Sequence, residues 1–514
     1  MSARILWADD EIDLLKPHIL FLESKGYRLD TVTSGDEAIE KVEENNFDII
    51  FLDENMPGIS GLETLNRIKL IKPDVPVVMI TKSEEESIME DAIGGKIADY
   101  LIKPVNPNQI LLSLKKNLEN RRIVSEKVNT AYQQEFRQIA MQLSSRMNVE
   151  EWYDLYRKLI NWELRLDASS DKSMHEILTM QKKEANQLFS RFVSDNYTDW
   201  LAGGIDAPAM SHTLLKKNLF SKLNDDCTFL VVIDNLRYDQ WCVLRPRLSS
   251  LFNVVEEDLF LSILPTATQY ARNALFAGLM PSEIQKKFPA MWINEDEEGS
   301  KNQYEKEFLE ENLKRNGKQV KMSYNKITNL NAGRKLVENF NNLLGNQLNV
   351  LVYNFVDMLS HARTDMEVIR ELADDESAYR SLTQSWFEHS PLLDFFKKIA
   401  AAGKKVHITT DHGTIRVKTP AKVVGDRNTN TNLRYKQGKN LNYDKSDVLE
   451  FRNPGDVYLP KQNMTTSYIF AQEDKYFVYP NNYNQFVNFY NNTFQHGGIS
   501  LEEMIIPFVE LRPK

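Results

Sequence analysis

The sequence predicts a multidomain α/β protein made of three parts. Short apolar strands alternate with helices over residues 1–120 and again over 221–514, while 121–220 keeps a helical period throughout. At 514 residues the chain is also too long for one hydrophobic core. We therefore expect domains at 1–120, 121–220 and 221–514, with a helical bundle joining two α/β domains.

The first domain carries five predicted strands. They lie in the segments ARILWAD, YRLDTVT, FDIIFLDENMPG, VPVVMIT and ADYLIKP. Helical segments such as EIDLLKPHILFLESKG and DEAIEKVEEN lie between them. Strands that alternate with helices pair in parallel, because each crossover helix returns the chain to the same edge of the sheet. The first domain is therefore predicted to be flavodoxin-like, with a five-stranded parallel sheet.

The region after Pro107 keeps a helical period. No Gly or further Pro interrupts the stretch from Asn108 to Met147, so one long helix should leave the first domain. Later segments repeat the pattern and complete a helical bundle. Its aromatic residues form either the bundle core or the seam of a dimer. They are Trp152, Tyr153, Tyr156 and Trp162.

The third part resumes the alternation of strands and helices. Its apolar strands lie in TFLVVI, NVLVYNFV, KKVHITT and LEEMIIPFVEL, which predicts a second α/β domain. The stretch 414–495 is rich in Asn, Tyr and Lys and is too long for a bare connection. We expect an inserted lid or subdomain there.

Composition restricts the class of protein. A net charge of −10 argues against a general DNA-coating protein. Cys227 and Cys242 are the only cysteines, too few for a disulfide framework, so two reduced thiols are expected. No apolar run of about 18 residues predicts membrane insertion, and the opening MSARILWADDE does not resemble a secretion signal. The sequence predicts a cytoplasmic protein.

Polar residues follow the strands of the first domain at the edge where an open parallel sheet places its site. Asp9 and Asp10 follow the first strand, Asp53 the third, Thr81 the fourth and Lys103 the fifth. Carboxylates gathered in one crevice repel each other unless a hard cation lies among them, which predicts Mg²⁺. Asp53 would then act as a nucleophile toward a phosphoryl donor, with Thr81 and Lys103 contacting the new phosphoryl oxygens.

This set of residues, in this order, resembles the receiver domain of two-component response regulators. The resemblance implies phosphorylation of Asp53, with a sensor histidine kinase as partner. The Mg²⁺ ligands it implies are Asp9, Asp10, Asp53 and the carbonyl of Asn55. Phosphorylation would draw Thr81 inward and let Tyr100 repack, which changes the face that joins the helical region. We expect a homodimer to form in response.

The third domain places metal-ligand residue types at its own strand ends. They are Asp234, Asp357, His361, Asp411, His412 and His496. Aspartate oxygens and neutral imidazoles are ligands for Zn²⁺ or Mn²⁺, and the mixture of the two favours zinc. Two such ions polarise a phosphoryl group and steady the attacking and leaving oxygens. A metal-bound hydroxyl from Thr266 or Thr268 is a candidate nucleophile.

Five segments resemble the PglZ-type branch of the alkaline-phosphatase superfamily, in family order over most of 221–514. They are VVIDNLRYD, PTATQYARNALFAGLMP, VDMLSH, TTDHGT and HGGISLEEMIIP. The resemblance implies an alkaline-phosphatase-like α/β domain with two Zn²⁺ or Mn²⁺ ions. One ion would bind Asp357, His361 and His496. The other would bind Asp234, Asp411 and His412, with Thr268 as nucleophile and bridging ligand, because the family usually uses the second hydroxyl of this motif.

Basic residues concentrate between Gly413 and Lys445, a stretch that contains eight basic residues and two acidic ones. We expect this segment to bind a polyanionic substrate, and the aromatic residues after it to stack on bases. The basic residues chosen are Arg427, Arg434 and Lys436. The alternative is a solvated loop followed by a hairpin with an aromatic core. Arg272, four residues after Thr268, either binds phosphate oxygens in a bidentate contact or pairs with the metal ligands.

The order of receiver, helical region and PglZ-type domain resembles the PorX-type response regulators of type IX secretion. It implies a receiver-controlled phosphodiesterase acting on cyclic or linear oligonucleotides. A sigma factor or a secretion-system protein would be its downstream partner. Two alternatives stay open: a phosphomonoesterase or phosphomutase with the same ligands, and a non-catalytic docking module for a transcription or secretion partner.

Overall fold

The computed structural model of the protein describes most of the chain. The described residues are 3–73, 75–81, 97–167, 173–365, 375–426 and 429–514, with the backbone alone for 119–129, 173 and 361–365. The chain divides into two compact units, one comprising Met1–Gln134 and the other Glu135–Asp167 with Ser173–Lys514. Among the described residues, no helix combines the length and apolar character that a membrane span requires.

The first unit contains a five-stranded sheet. Its strands are β1 (Arg4–Ala8), β2 (Arg28–Val32), β3 (Ile49–Asp53), β4 (Val77–Thr81) and β5 (Asp99–Ile102). Its described helices are α1 (Lys16–Ser24), α2 (Gly35–Glu44), α3 (Gly61–Ile71) and the start of α4 (Pro107–Leu143). All neighbouring strands pair in parallel in the order β2-β1-β3-β4-β5. The predicted doubly wound sheet is therefore confirmed.

Alternating residues of these strands form a core on each face of the sheet. Leu6 and Leu52 belong to one core, whereas Ile5 and Phe51 belong to the other, as the period of two in a strand requires. Both faces are buried because helices cover them. The strand ends at the carboxyl edge are therefore the natural place for polar side chains.

Two long helices begin the second unit after the end of α4. They are α5 (Val149–Asp167) and α6 (Ser173–Leu201). The Trp152 ring lies 5.3 Å from Phe189 of α6, and the Tyr156 ring lies 5.9 Å from Tyr238 of the following α/β domain. Trp152, Tyr153, Tyr156 and Trp162 are all buried within this chain. The core interpretation of these aromatic residues is thus confirmed, and the dimer-seam alternative is wrong.

The α/β part of the second unit is built on a six-stranded sheet. Its strands are β6 (Thr228–Ile233), β7 (Phe252–Leu261), β8 (Met322–Ile327), β9 (Leu348–Tyr353), β10 (Lys405–Thr409) and β18 (Ile505–Pro513). The order is β7-β18-β10-β6-β9-β8. The strands β10, β6, β9 and β8 are parallel, and β18 and β7 add antiparallel pairs at one side. The predicted second α/β domain is confirmed.

The helices around this sheet follow in chain order. They are α7 (Ser211–Leu214), α8 (Tyr238–Leu248), α9 (Thr268–Ala277), α10 (Pro281–Lys287), α11 (Glu305–Arg315), α12 (Leu330–Glu338), α13 (Phe355–Asp365), α14 (Glu376–His389), α15 (Pro391–Ala401), α16 (Tyr483–Tyr490) and α17 (Leu501–Met504). Leu215–Leu219 forms a π-turn after α7. The carboxyl ends of the parallel strands lead into α8, α13 and the loop after β10, where the candidate ligands lie.

The segment between β10 and β18 contains several small sheets together with the helices α16 and α17. Its strands are β11 (Ile415–Arg416), β12 (Thr419–Lys422), β13 (Tyr435–Gly438), β14 (Val448–Phe451), β15 (Ser467–Ala471), β16 (Lys475–Val478) and β17 (Phe494–Gln495). The aromatic side chains that were expected to stack on bases are mostly buried here. Tyr468, Phe470, Tyr476 and Phe477 are at most 2% exposed. Base stacking by these four is therefore wrong, and the aromatic-core alternative describes them.

Candidate phospho-acceptor and metal sites

In the first unit, the strand ends bring three carboxylates together. One oxygen each from Asp9, Asp10 and Asp53 lies within 4.8 Å of the others. The Nζ atom of Lys103 lies 2.9 Å from Asp9 Oδ2 and 3.0 Å from Asp53 Oδ2. Thr81 is buried at the end of β4. These five residues therefore meet at one edge of the sheet, as their positions after the strands predicted.

The electrostatics of this cluster suit a bound cation. Burial raises the pKa of Asp53, Lys103 opposes this, and Asp9 and Asp10 add to it. Of the residues described, none gives the buried Asp53 Oδ1 a hydrogen bond. A divalent ion would relieve both the repulsion and the unpaired oxygen, so the cluster fits Mg²⁺. Asn55 lies exposed in the loop after β3, and Tyr100 packs partly buried against the core.

In the second unit, a first group of candidate ligands gathers at the ends of β6 and β10. One ligand atom each from Asp234, Asp411 and His412 lies within 4.8 Å of the others, and all three residues are buried. The Oγ1 atom of Thr268 lies 3.0 Å from His412 Nε2 and 3.4 Å from Asp234 Oδ1. Gly413 follows His412 because a Cβ there would come within 2.1 Å of the Glu502 carbonyl oxygen. The predicted first trio and the hydroxyl thus converge.

A second group lies against the first. Asp357, in the first turn of α13, has its Oδ1 atom 3.8 Å from His496 Nε2. The His496 and His412 rings stack with centroids 4.3 Å apart. His361 lies one turn after Asp357 on the same helix, but its side chain is outside the described residues. Two of the three predicted ligands of this group are therefore adjacent, and the third stays a prediction.

The hydrogen bonds of the two imidazoles fix which nitrogen is free to bind a metal. His412 Nδ1 lies 3.2 Å from the Gly413 carbonyl oxygen, and His496 Nδ1 lies 3.0 Å from the Thr266 carbonyl oxygen. A carbonyl only accepts, so each Nδ1 carries the proton and each neutral ring presents a lone pair at Nε2. Both Nε2 atoms face the cluster. This is the arrangement that metal-binding histidines adopt, and it fits zinc or manganese.

Asp234 carries the strongest electrostatic perturbation of the cluster. Burial raises its pKa to about 6; Arg272 acts against this, and Asp411 adds to it. Arg272 is itself buried, and its Nε donates to Glu305 Oε1 at 2.6 Å. Its Nη1 donates to Asp234. Of the two expectations for Arg272, the structure therefore shows the pairing with a candidate metal ligand, because its guanidinium is occupied by the carboxylates of Asp234 and Glu305.

Thr266 has a different role from Thr268. Its hydroxyl donates to the Gly498 carbonyl oxygen at 3.0 Å and accepts from the Gly497 amide at 2.9 Å. These contacts hold the loop that carries His496. Thr268 begins α9. Of the two threonine hydroxyls, that of Thr268 is the one that contacts the first ligand group. This geometry supports the choice of Thr268 as the reactive hydroxyl.

Asn235 is a site residue that our sequence reasoning did not select. Its backbone N–H donates to Asp411 Oδ1 at 3.2 Å, and its side-chain amide donates to Asp357 Oδ1 at 3.4 Å. It therefore contacts one carboxylate from each ligand group. Its φ of +64° is left-handed, a conformation that Asn adopts more easily than most residues. The adjacent Asp-Asn pair after a buried strand was the available signal.

Two of the predicted substrate contacts are wrong. The Arg434 guanidinium is fully buried, with Nη2 2.7 Å from Glu503 Oε2 and Nε 3.1 Å from Glu503 Oε1. Lys436 is also buried and donates to the Asn430 carbonyl oxygen at 2.8 Å, and burial lowers its pKa to about 8. Both side chains hold the small sheets together. Arg427 lies outside the described residues.

Three family models match successive parts of the chain. A response regulator receiver domain matches residues 5–115, and a PorX response regulator linker domain matches 122–201. A BREX system PglZ alkaline phosphatase-like domain matches 214–511, more than half of the chain.

Curated relatives and solved structures match a smaller part. The transcriptional regulatory protein ResD of Bacillus subtilis is 36% identical over 114 residues, which is 22% of this chain and 47% of ResD. The alginate biosynthesis transcriptional regulatory protein AlgB of Pseudomonas syringae is 35% identical over 122 residues, 24% of this chain and 27% of AlgB. The chain thus covers less than half the length of these relatives.

Among solved structures, a CheY-like receiver domain protein from Methanospirillum hungatei is 26% identical with a TM-score of 0.23, over 23% of this chain and 96% of that one. A two-component response regulator from Clostridium difficile is 30% identical with a TM-score of 0.22, over 23% of this chain and 97% of that one.

The fold and the family models define a response regulator whose receiver domain precedes an alkaline-phosphatase-like output domain. The chain belongs to the PglZ alkaline phosphatase-like family, and the order of its three parts is that of a PorX-type response regulator.

Proposed function

We propose that the C-terminal domain is a two-metal phosphodiesterase that acts on cyclic or linear oligonucleotides, with Thr268 as its nucleophile. The contact that carries the proposal is that of Thr268 Oγ1 with His412 Nε2 and Asp234 Oδ1. Thr268 also begins a ten-residue helix, whose N-terminus favours negative charge on that oxygen. When bound, two zinc or manganese ions would supply Lewis-acid polarisation of the phosphoryl oxygens.

The residues around the site would each have a separate task. Asp234, Asp411 and His412 would bind one ion, and Asp357, His496 and His361 the other. Arg272, which Glu305 holds in place, fixes Asp234 through a buried ion pair and opposes its protonation. Asn235 holds Asp411 and Asp357 in register through its two hydrogen bonds. The chain itself thus orients the ligands and the nucleophile before any substrate binds.

The charge near the site favours diesters over monoesters. A phosphomonoester carries nearly two negative charges at neutral pH, whereas a diester carries one, so a monoesterase needs more cationic side chains at the phosphate. Arg272 and Arg434 are both sealed in ion pairs with carboxylates, and Lys436 is buried in the small sheets. Of the basic side chains that we selected and the structure describes, none is available for the second charge.

Substitution of Thr268 tests the proposal. In zinc-loaded full-length protein, Thr268→Ala should abolish hydrolysis of a linear dinucleotide, because the attacking hydroxyl is lost. Thr268→Ser keeps a hydroxyl and should retain measurable activity. Thr266→Ser is the matched control and should hydrolyse the dinucleotide nearly as wild type does. Full activity of Thr268→Ala with bound metal would contradict the proposed nucleophile.

We also propose that a sensor histidine kinase phosphorylates Asp53 and that the phosphorylated protein forms a homodimer. The support is the receiver family match and the cluster of Asp9, Asp10, Asp53 and Lys103. Sedimentation of the protein with and without beryllofluoride and Mg²⁺ tests it. The mass should double with the phosphate mimic in wild type but not in Asp53→Ala. An unchanged wild-type mass would contradict dimer formation.

The PorX linker match supports a role in type IX secretion, with a sigma factor or a secretion-system protein as partner. Thr268→Ala also separates an enzymatic from a docking role in cells. Loss of secretion with a folded variant indicates that hydrolysis transmits the signal. Unaltered secretion would indicate a docking role for the output domain.

A further inference from the structure

A cavity of about 240 Å³ opens at the carboxyl ends of β8 and β9, on the same edge of the sheet as the metal cluster. Tyr353 ends β9 and lines this cavity, and its carbonyl oxygen accepts the backbone N–H of Asp234 at 2.8 Å. Phe355 and Met358 line it from the first turn of α13, the turn that also carries Asp357. The cavity therefore adjoins Asp234 across a pair of neighbouring strands and Asp357 along the chain.

The wall of the cavity is aromatic and flat. The Phe355 and Trp386 rings stack with centroids 4.2 Å apart and planes 3° apart. The Tyr353 ring lies 6.3 Å from Trp386 at an angle of 62°. Phe355 and Trp386 are both partly exposed. Stacking on such rings favours a planar ligand, and it depends little on which base the ligand carries.

Tyr353, which lines the cavity, carries a hydroxyl without a hydrogen-bond partner among the described residues. Tyr353 is only 4% exposed, and across the described part of the chain nothing forms a hydrogen bond with its buried hydroxyl. A buried hydroxyl left unpaired is destabilising. Among the described residues that line the cavity, none carries a charged side chain. The cavity therefore suits an uncharged planar ring that carries a hydrogen-bonding edge, and it does not suit a phosphate.

We propose that this cavity binds the nucleobase of the nucleotide next to the scissile phosphate. The proposal rests on the proposed phosphodiesterase function and assigns the uncharged part of its substrate. A volume of 240 Å³ is below the usual range for a whole drug-sized ligand, which is roughly 300–1,000 Å³, but it accommodates one heteroaromatic ring system. An aliphatic chain would fill the space but would leave the Tyr353 hydroxyl unpaired.

Two substrates separate base recognition from phosphate chemistry. The linear dinucleotide pApA and an analogue with both bases removed contain the same phosphodiester. Wild-type protein should have a lower KM for pApA than for the base-free analogue. Trp386→Leu should raise the KM for pApA roughly 5- to 150-fold, the range that loss of one stacked base produces, and should leave the KM for the base-free analogue unchanged. Phe489→Leu, which removes an exposed ring elsewhere, is the matched control and should alter neither value.

Tyr353→Phe is the finer test, because it removes one oxygen atom. A purely structural role predicts equal or higher stability and unchanged kinetics, since an unpaired buried hydroxyl is lost. Base recognition predicts the same stability result together with a several-fold higher KM for pApA alone. Gly333→Ala should also raise this KM, because its Cβ would lie 3.2 Å from Pro391 and 3.3 Å from the Tyr353 hydroxyl oxygen and would crowd the cavity that both residues line. An unchanged KM for pApA in both variants would overturn the proposal.

Equilibrium binding keeps the cavity testable if hydrolysis fails. In the Thr268→Ala background, titration of pApA should give a weaker Kd when Tyr353→Phe or Trp386→Leu is added. If wild type hydrolyses neither substrate, the phosphodiesterase proposal is wrong, and these titrations still decide whether the cavity binds a base. If wild type hydrolyses both substrates with equal KM and these variants bind pApA equally well, only the base site is refuted.

Discussion

Glu163 of α5 should contribute roughly 3–4 kcal/mol to the stability of the second unit. Its Oε2 atom accepts from Lys182 Nζ of α6 at 2.7 Å, and its Oε1 atom accepts from Arg380 Nη1 of α14 at 3.1 Å. Burial opposes ionisation of Glu163, but Lys182 and Arg380 outweigh it and lower its pKa to about 2, from 4.5. The pKa of Glu163 is thus lowered by about 2.5, and at about 1.4 kcal/mol per pKa unit this corresponds to roughly 3–4 kcal/mol.

This contribution has a defined pH dependence. Because the pKa of Glu163 is lowered in the folded state, its stabilisation is fully present above about pH 4.5 and is lost as the pH falls toward 2. Glu163→Gln keeps the shape of the side chain but removes its charge. The free energy of unfolding at pH 7 should therefore fall by roughly 3–4 kcal/mol in this variant, and the difference from wild type should shrink in acid.

Urea unfolding of the full chain, followed by tryptophan fluorescence, measures this difference. Glu150→Gln is the matched control, because Glu150 lies exposed on the same helix. A loss below about 1 kcal/mol at pH 7, or a difference that grows in acid, would refute the reasoning. Either result would mean that solvent or neighbouring charges replace the buried ion pairs at little cost.

Four further predictions concern the metal cluster, the Arg434 ion pair and the phospho-acceptor site. Below about pH 6, the zinc affinity of Asp234 and its neighbours should fall about tenfold per unit, because a proton must leave before zinc binds; competition titration measures this. Between about pH 3.8 and 6, the contribution of Asp234 to the stability of chelator-stripped protein should fall as pH rises, since the raised pKa favours the folded state only while Asp234 is protonated; in zinc-loaded protein this contribution should not fall. Arg434→Met should lower the free energy of unfolding by about 3–5 kcal/mol by leaving Glu503 buried and unpaired, whereas a substrate role would raise the KM of a stable protein. Asp53→Asn should abolish labelling by acetyl phosphate, as phosphate-affinity electrophoresis detects, whereas Thr268→Ala should be labelled as wild type is.

Strand-end residues were the part of both sites that sequence reasoning could locate. A parallel sheet brings the carboxyl ends of its strands to one edge, so a side chain that follows a strand has a defined position before any contact is known. Asp53 at the end of β3 and Asp234 directly after β6 follow this rule, and so does Asp411, two residues after β10. The chemistry of the residue then restricts what it does there.

Residues away from strand ends were harder to place, because their partners come from distant segments. Arg434 occupies a basic stretch, yet Glu503, 69 positions later, buries and neutralises it. Tyr468 and Tyr476 occupy an aromatic stretch that equally suits a binding face or a hairpin core. Local composition is the same in both cases, and only the tertiary pairing decides between them. Asn235 was not predicted, because its role depends on contacts with two carboxylates, Asp411 and Asp357, that come from separate segments of the chain.

Each of the two carboxylate clusters contains a basic side chain, Lys103 in the receiver domain and Arg272 in the output domain. The two side chains differ in how firmly they are held, and that difference matches the proposed tasks of the clusters. Lys103 remains 11% exposed and contacts Asp9 and Asp53 through one flexible ammonium group, so it can shift to a phosphoryl oxygen formed on Asp53. Arg272 is 1% exposed and its planar guanidinium is fixed between Asp234 and Glu305. If Arg272 moved away from either carboxylate, that carboxylate would remain as an unpaired charge in the protein interior. Lys103 is therefore suited to a change of partner, whereas Arg272 is suited to holding the proposed metal ligand Asp234 in a fixed position.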